Sequence, residues 1–288
     1  MPDRTLCLIV GAAKSGTTWL WRQLRRHPDV HFRSIKELHY FDALAKGRLT
    51  AEIARHEARR AEIARALERH PDEPPEPRLA DIHDRTAWLT VLARGDDPAA
   101  YVAYLEDGAD GRRVIGEATP AYALLDEDRL GQLMFLKRDV RIVFLMRDPV
   151  DRLWSHVRTI AKARARDGDF RGAADRVMKR VLNGTETEIV ARSDYAGALD
   201  RLTRVVPKDR LCLGFHEEIG SGATLDRVTG FLGLTPLAPT EDRPNEGPPL
   251  AIMPAQKEAA RAWLQPQYEA VQRFVHHVPD SWDRRVSS

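Results

Sequence analysis

The stretch Leu6-Cys7-Leu8-Ile9-Val10-Gly11-Ala12-Ala13-Lys14-Ser15-Gly16-Thr17-Thr18, followed by Trp19 to Arg26, decides the fold class. Five apolar residues in a row, with no polar residue at alternate positions, describe a central parallel strand covered on both faces. The glycine-bearing turn then feeds a helix whose Leu20 and Leu24 share one face, and Pro28 ends it by biasing His27 out of helical geometry. Such a turn gathers backbone N–H groups at the positive end of the helix dipole, which makes it a natural anion site. Lys14, Ser15, Thr17 and Thr18 add an ammonium and three hydroxyls. Each charge-assisted hydrogen bond to a phosphate or sulfate oxygen contributes roughly 1.5–3 kcal/mol.

Outward from this unit, strands and helices alternate. Val30-His31-Phe32 reads as a short strand, and Val114-Ile115-Gly116 as another leading into Glu117-Ala118-Thr119-Pro120. Arg141 to Met146 is a strong strand ending at Arg147. The next helix starts with Asp148 as N-cap, Pro149 at its first position and Asp151 in its first turn; Leu153, Val157 and Ile160 form its apolar face. Arg210 to Phe215 is a further strand, Leu225 to Leu232 a helix stopped by Gly233, and Gln256 to Val275 a terminal helix. This order predicts an α/β fold, a parallel sheet with helices on both faces, in one domain over residues 1–288. Trp and Leu positions in the last helix suit either the core or a homodimer interface.

The composition changes between about residues 43 and 98. Ala51 to Arg69 is nearly all Ala, Arg, Glu and His, with pairs such as Glu57–Arg60 and Glu62–Arg65, and His70 to Pro77 breaks it. The segment is expected as a charged helical insertion carried on the main fold. Its arginines read as a solvated face, with contact to an anionic substrate as the alternative.

The chain has 288 residues, 43% of them hydrophobic and 31% charged, which excludes wholesale disorder. With 45 basic against 43 acidic side chains, the net charge of +2 supplies no global field that selects nucleic acid. The two cysteines, Cys7 and Cys212, lie in apolar runs and read as buried reduced thiols. No signal-type or membrane-length apolar run occurs, so a cytoplasmic protein is expected.

Which anion the first turn takes is the functional question. A nucleotide triphosphatase loop reads G-x-x-x-x-G-K-[ST]. Gly11 and Gly16 have that separation, but Thr17 stands where the lysine belongs, and Arg147 rather than Asp ends the next strong strand. Both departures count against a kinase or nucleotide hydrolase using ATP and magnesium. That reading and a non-catalytic nucleotide-binding module remain the alternatives.

Lys14-Ser15-Gly16-Thr17-Thr18-Trp19 resembles the 5′-phosphosulfate loop of the sulfotransferases that use 3′-phosphoadenosine 5′-phosphosulfate (PAPS). Phe144 to His156 resembles the 3′-phosphate motif of the same family, which implies that Arg147 and Ser155 hold the ribose phosphate. A dianionic phosphate suits a fixed guanidinium fork with a neutral donor beside it. Arg152 is read instead as pairing with a neighbouring Asp.

Lys36-Glu37-Leu38-His39-Tyr40-Phe41-Asp42 resembles a segment of the heparan-type, carbohydrate-directed members. The resemblance implies Glu37 as catalytic base, with His39 and Asp42 near the acceptor and Lys14 on the leaving phosphate. Without it, Lys36–Glu37 is a solvated pair and His39 a hydrogen-bonded scaffold residue. Gly116 to Tyr122 also resembles a cleft-lining segment, although relatives often carry Lys where this chain has Ala118. Ser193-Asp194-Tyr195 resembles a stretch that contacts nucleotide or acceptor, which implies Tyr195 in donor binding; a helix cap with a packed Tyr is the alternative. Arg243 to Pro249 falls where relatives carry a basic loop over the nucleotide. The resemblance thus implies the sulfotransferase fold, PAPS as donor, 3′-phosphoadenosine 5′-phosphate (PAP) as product, and a small-molecule or carbohydrate acceptor. It implies no metal, because fixed cations and N–H groups stabilise the charge.

Overall fold

The apolar run forms β1, Thr5–Gly11, at the centre of a five-stranded sheet in the computed structural model, which describes residues 4–69, 74–240, 249–275 and 277–282. The other strands are β2 (Val30–Phe32), β3 (Val114–Ala118), β4 (Val140–Met146) and β5 (Leu211–Phe215). All pairings are parallel, in the order β2-β3-β1-β4-β5. Leu6, Leu8 and Val10 enter one hydrophobic core, and Cys7 and Ile9 enter a second on the opposite face. The continuous apolar sequence of β1 follows from that double burial. Gly116 of β3 lies so close to β1 that a Cβ there would stand 1.9 Å from the Cys7 carbonyl oxygen. Both cysteines are free and buried, and burial pushes the Cys212 thiol up to about 12, so neither is a reactive thiolate.

The helices are α1 (Thr17–Arg25), α2 (Tyr40–Ala45), α3 (Leu49–Arg69), α4 (Glu76–Leu92), α5 (Pro98–Glu106) and α6 (Glu127–Met134). After β4 come α7 (Pro149–Arg164), α8 (Phe170–Leu182), α9 (Thr187–Arg192), α10 (Tyr195–Val205), α11 (Ala223–Phe231) and α12 (Pro254–Phe274). Helices α1 and α11 cover the smaller core, with Trp19, Leu20, Leu24, Leu225 and Val228. The larger core takes Leu153 and Val157 of α7, Tyr195 and Leu199 of α10, and Leu264 of α12. The final helix therefore spends its Leu264 on the core, and its Trp263 packs partly buried against it. None of the described helices is long and apolar enough to cross a membrane.

The segment expected as a surface insertion is helical but divided in role. Helix α3 buries only His56 and Ile63, and its ion pairs include Arg55–Glu52 and Arg59–Glu62. Helix α4 instead sends Trp88, Val91 and Leu92 into the larger core, where Trp88 meets Tyr40, Tyr101 and Tyr104. The carboxyl-terminal end of α4 is thus part of the core, whereas α3 lies mostly on the surface.

The chain runs from β1 through α1 to β2 on one side of the sheet, then from β3 across β1 to β4 on the other. The carboxyl ends of β1 and β4 flank that topological switch point, where open parallel sheets bind ligands. The Gly11–Thr18 turn and Arg147 leave the sheet side by side there.

Candidate active site

Gly16 caps α1 with φ +90, and the first turn of the helix carries no acidic side chain. A Cβ on Gly16 would approach Ile219 Cδ1 to 2.6 Å and His216 Nδ1 to 2.9 Å, so this turn tolerates only glycine. The first-turn amides of α1 lack intrahelical acceptors and face the turn. Ser15 and Thr17 are buried, whereas Lys14 and Thr18 are half-buried. Lys14 holds φ +71, a left-handed conformation that non-glycine residues adopt only when their surroundings impose it.

Asp148 caps α7 as expected, accepting the amides of Val150 and Asp151 at 3.0 Å each. This fixes the start of the helix and with it Arg147, one residue before the cap. The Tyr195 hydroxyl completes the junction. It donates to the Arg147 carbonyl at 3.0 Å, accepts the Arg147 amide at 3.1 Å, and lies 3.3 Å from Ser15 Oγ. One buried phenol therefore ties the Gly11–Thr18 turn after β1 to the end of β4.

The base candidate sits on the loop after β2. Three of its backbone amides are accepted by the last residue of β3 and the segment after it: Glu37 N–H by the Ala118 carbonyl at 3.0 Å, His39 N–H by Thr119 Oγ1 at 3.4 Å, and Tyr40 N–H by the Tyr122 hydroxyl at 3.2 Å. Thr119 in turn donates to the buried Glu117 at 2.6 Å, as does Tyr101 at 2.8 Å. Glu37 and His39 hold φ values of +62 and +54, with buried Leu38 between them. The kinked loop turns both polar side chains to one side, and His39 Nε2 lies 3.6 Å from Glu37 Oε2. His39 Nδ1 pairs with Asp42 Oδ2 at 2.9 Å, and Lys36 Nζ pairs with Glu37 Oε1.

Electrostatics links the two regions. Burial raises the Glu37 pKa, but its bonds to His39 and Lys36 outweigh that and hold the carboxyl below the usual carboxylate range. Burial lowers the His39 pKa, yet its bonds to Asp42 and Glu37 prevail and raise it to about 9. The Lys14 pKa is lowered, first by burial; Glu37 opposes the shift, and Arg158, Arg147 and Lys36 add to it. Lys14 therefore lies within electrostatic reach of Arg147, Arg158, Lys36 and Glu37, and Arg147 also acts on Arg158.

Two further basic side chains of α7, Arg152 and His156, lie within electrostatic reach of these groups, Arg152 of Arg147 and His156 of Lys14. Arg152 is fully buried; it donates to Ser193 Oγ through Nη2, and Nη1 has no hydrogen-bond partner. No carboxylate among the described residues pairs with it, which corrects the expectation of an Arg–Asp pair. Burial, reinforced by Arg192 and Arg147 against the opposing Tyr195, lowers its pKa to about 10. Burial and the neighbouring Arg152, Arg192 and Lys14 also bring His156 down to about 3, so it is neutral. Mutually repelling cations with an unsatisfied buried guanidinium N–H fit a polyanionic ligand. A cavity of about 690 Å³ lined by Phe41, Val102, Phe135 and Leu136 lies elsewhere, against α5 and α6, and shares none of the anion-binding turns.

A model of the sulfotransferase family matches residues 7–235, from β1 to beyond α11. The chain belongs to the sulfotransferase family. Its activity is accordingly sulfuryl transfer. Solved sulfotransferases share the fold: one from Alicyclobacillus acidocaldarius matches with TM-score 0.63 and 23% identity, covering 98% of this chain and 99% of its own. The sulfotransferase domain of the Synechococcus PCC 7002 olefin synthase matches with TM-score 0.53 and 18% identity over 96% of each chain. No curated protein matches the chain.

The fold brings the sequence-expected residues Lys14, Ser15, Gly16, Thr17, Thr18, Glu37, His39, Arg147 and Tyr195 to the carboxyl edge of the sheet. Ser155, half-buried, lies two turns into α7. Tyr195 is buried with its hydroxyl engaged by Ser15 and Arg147. Sequence reasoning missed Arg158, whose spacing of three from Ser155 puts it on the same face of α7, and it missed the electrostatic reach of Lys36. Arg243 lies outside the described residues.

Proposed function

We propose that the protein transfers a sulfuryl group from PAPS to a hydroxyl of a sugar or small metabolite, with an amine as the lesser alternative, leaving PAP. The observation that supports this reading is the Tyr195 hydroxyl bridging Ser15 and Arg147, with Glu37 acting electrostatically on the neighbouring Lys14. When bound, the donor supplies a sulfuryl group on a good leaving phosphate.

The chain's own residues supply the rest. The amides and hydroxyls of Ser15 to Thr18 hold the 5′ end, and Lys14 takes up the charge that grows on the leaving phosphate. Arg147 and Ser155, with Arg158 beside them, hold the 3′-phosphate. Tyr195 contributes chiefly by positioning, because its hydroxyl is already engaged by protein. Glu37 removes the acceptor proton, and His39, fixed by Asp42, orients the Glu37 carboxylate. The helical insertion walls the acceptor side: Arg55 of α3 donates to the Glu37 carbonyl at 3.4 Å. The single-domain reading, with residues of about 43–98 as an insertion on it, belongs to the same proposal.

Incubation with PAPS labelled in its sulfate and a panel of hydroxyl and amine acceptors tests the reading. Label in an acceptor together with equimolar PAP is expected. Absence of transfer across the panel, together with no binding of PAP, would overturn it.

A further inference from the structure

We infer that Lys36 is a catalytic cation of this site: its ammonium, paired with Glu37 in the free enzyme, moves onto the sulfuryl oxygens of the bound phosphosulfate and thereby frees Glu37 to act as base. The inference rests on the sulfotransfer reading above and adds to it a residue with a change of partner.

Three observations lead to it. First, Glu37 carries two cationic partners, Lys36 on Oε1 and His39 on Oε2. A carboxylate so neutralised is a poor proton acceptor, because both partners stabilise the charged form that protonation would remove. One partner has to leave before Glu37 is an effective base.

Second, the two partners are not equally able to leave. His39 is clamped on its far side by Asp42 at 2.9 Å, and its backbone N–H is held by Thr119. The Lys36 ammonium is bonded to Glu37 alone among the described residues. It stands on a flexible four-carbon stem, while buried Ile35 and Leu38 on either side of the Lys36–Glu37 pair anchor the backbone. Lys36 can therefore move without disturbing the loop.

Third, the loop that carries Lys36 is held beside the strand that runs into the Lys14 turn: the neighbouring Glu37 N–H donates to the Ala118 carbonyl at 3.0 Å, and Ala118 pairs with Ile9 of β1. The two ammoniums repel, and Lys36 contributes to lowering the Lys14 pKa. An anionic group placed between them removes that repulsion and gives Lys36 a more highly charged partner than Glu37. The sulfuryl oxygens of a phosphosulfate held by the Lys14 turn are such a group.

The balanced step is then as follows. The acceptor oxygen forms a bond to sulfur, and its proton passes to the Glu37 carboxylate. The bond from sulfur to the bridging 5′-phosphate oxygen breaks, and its electron pair remains on that oxygen, opposite Lys14. Lys36 bears on the non-bridging sulfuryl oxygens throughout. In the free enzyme the same lysine keeps the base suppressed until the donor is seated.

Calorimetric titration of the wild type, K36A and K36R with PAP and with PAPS tests the inference by binding alone. The K36A protein is expected to bind PAP within about twofold of wild type but PAPS about tenfold or more weakly, since only PAPS carries the sulfuryl oxygens. K36R should recover most of the preference for PAPS. A K36Q protein provides the same comparison should alanine disturb the loop. Equal affinity ratios of PAPS to PAP in wild type and in the neutral variants would overturn the role of Lys36 while leaving the sulfotransferase reading intact. A wild-type protein that binds neither nucleotide would overturn that reading, and this inference with it.

Discussion

The side-chain hydroxyl of Tyr195 is bonded to both ends of the Arg147 backbone, accepting from its N–H at 3.1 Å and donating to its carbonyl at 3.0 Å. Because the same oxygen lies 3.3 Å from Ser15 Oγ, Tyr195 sets the spacing between the two anion motifs. The Y195F protein loses these bonds and leaves the N–H and carbonyl of half-buried Arg147 without this partner. We expect about 1–3 kcal/mol lower stability by urea denaturation and weaker PAP binding by calorimetry. A Y195F protein with unchanged PAP affinity would show that the spacing is set by other contacts.

Glu37 pairs with Lys36 and His39 and, among the described residues, has no hydrogen bond or ion pair to Arg147 or Ser155, which are proposed to hold the 3′-phosphate. Glu37→Gln is therefore expected to reduce sulfuryl transfer ~10²–10⁴-fold while PAP affinity stays near wild type. Transfer measured with labelled donor alongside PAP titration separates the two effects. Retention of turnover would move the base elsewhere.

His39 is raised to about 9 by Asp42 and Glu37 against the cost of burial. Its proton stabilises the folded state fully below the unfolded value near 6.5, and that contribution is lost as pH rises through about 9. Glu37 shifts the opposite way, so its stabilising charge is present at neutral pH and lost only in strong acid. An NMR titration of the His39 ring should give a midpoint near 9, and Asp42→Asn should move it down towards 6.5. A midpoint near 6.5 in the unaltered protein contradicts the Asp42–His39–Glu37 pairing.

Gly16 combines φ +90 with two side chains inside the radius of a Cβ. Gly16→Ala is expected to cost roughly 1–3 kcal/mol in urea denaturation. It should also weaken PAP binding, because relief of the clash moves the turn that carries Lys14. Full stability in the alanine variant would argue that the turn adopts another conformation.

The sheet, the turn after β1 and the start of α7 were legible because their signals are local. The unbroken run Leu6 to Val10, the turn after it, and the Asp148-Pro149 helix start each lie within a dozen residues. The division of the insertion was not legible: the many charges of α3 obscured the short apolar end of α4, where Trp88, Val91 and Leu92 turn into the core. The support of the base loop was hidden for another reason. Glu37, His39 and Tyr40 give their amides to residues 118–122, some eighty positions away, and partners so distant in sequence leave no local signal. Arg152 misled because Asp148 and Asp151 closely precede it in sequence, whereas its helix turns it inward to Ser193.

The central claim is that one adenine nucleotide, phosphorylated at both ends of its ribose, bridges the turn at Lys14 and the strand end at Arg147. Its most direct test is the calorimetric affinity of the wild-type protein for PAP against ATP with magnesium. Tighter binding of PAP is predicted, because Arg147 meets a 3′-phosphate that ATP lacks. Tighter binding of magnesium ATP, with PAP bound weakly or not at all, would contradict the account.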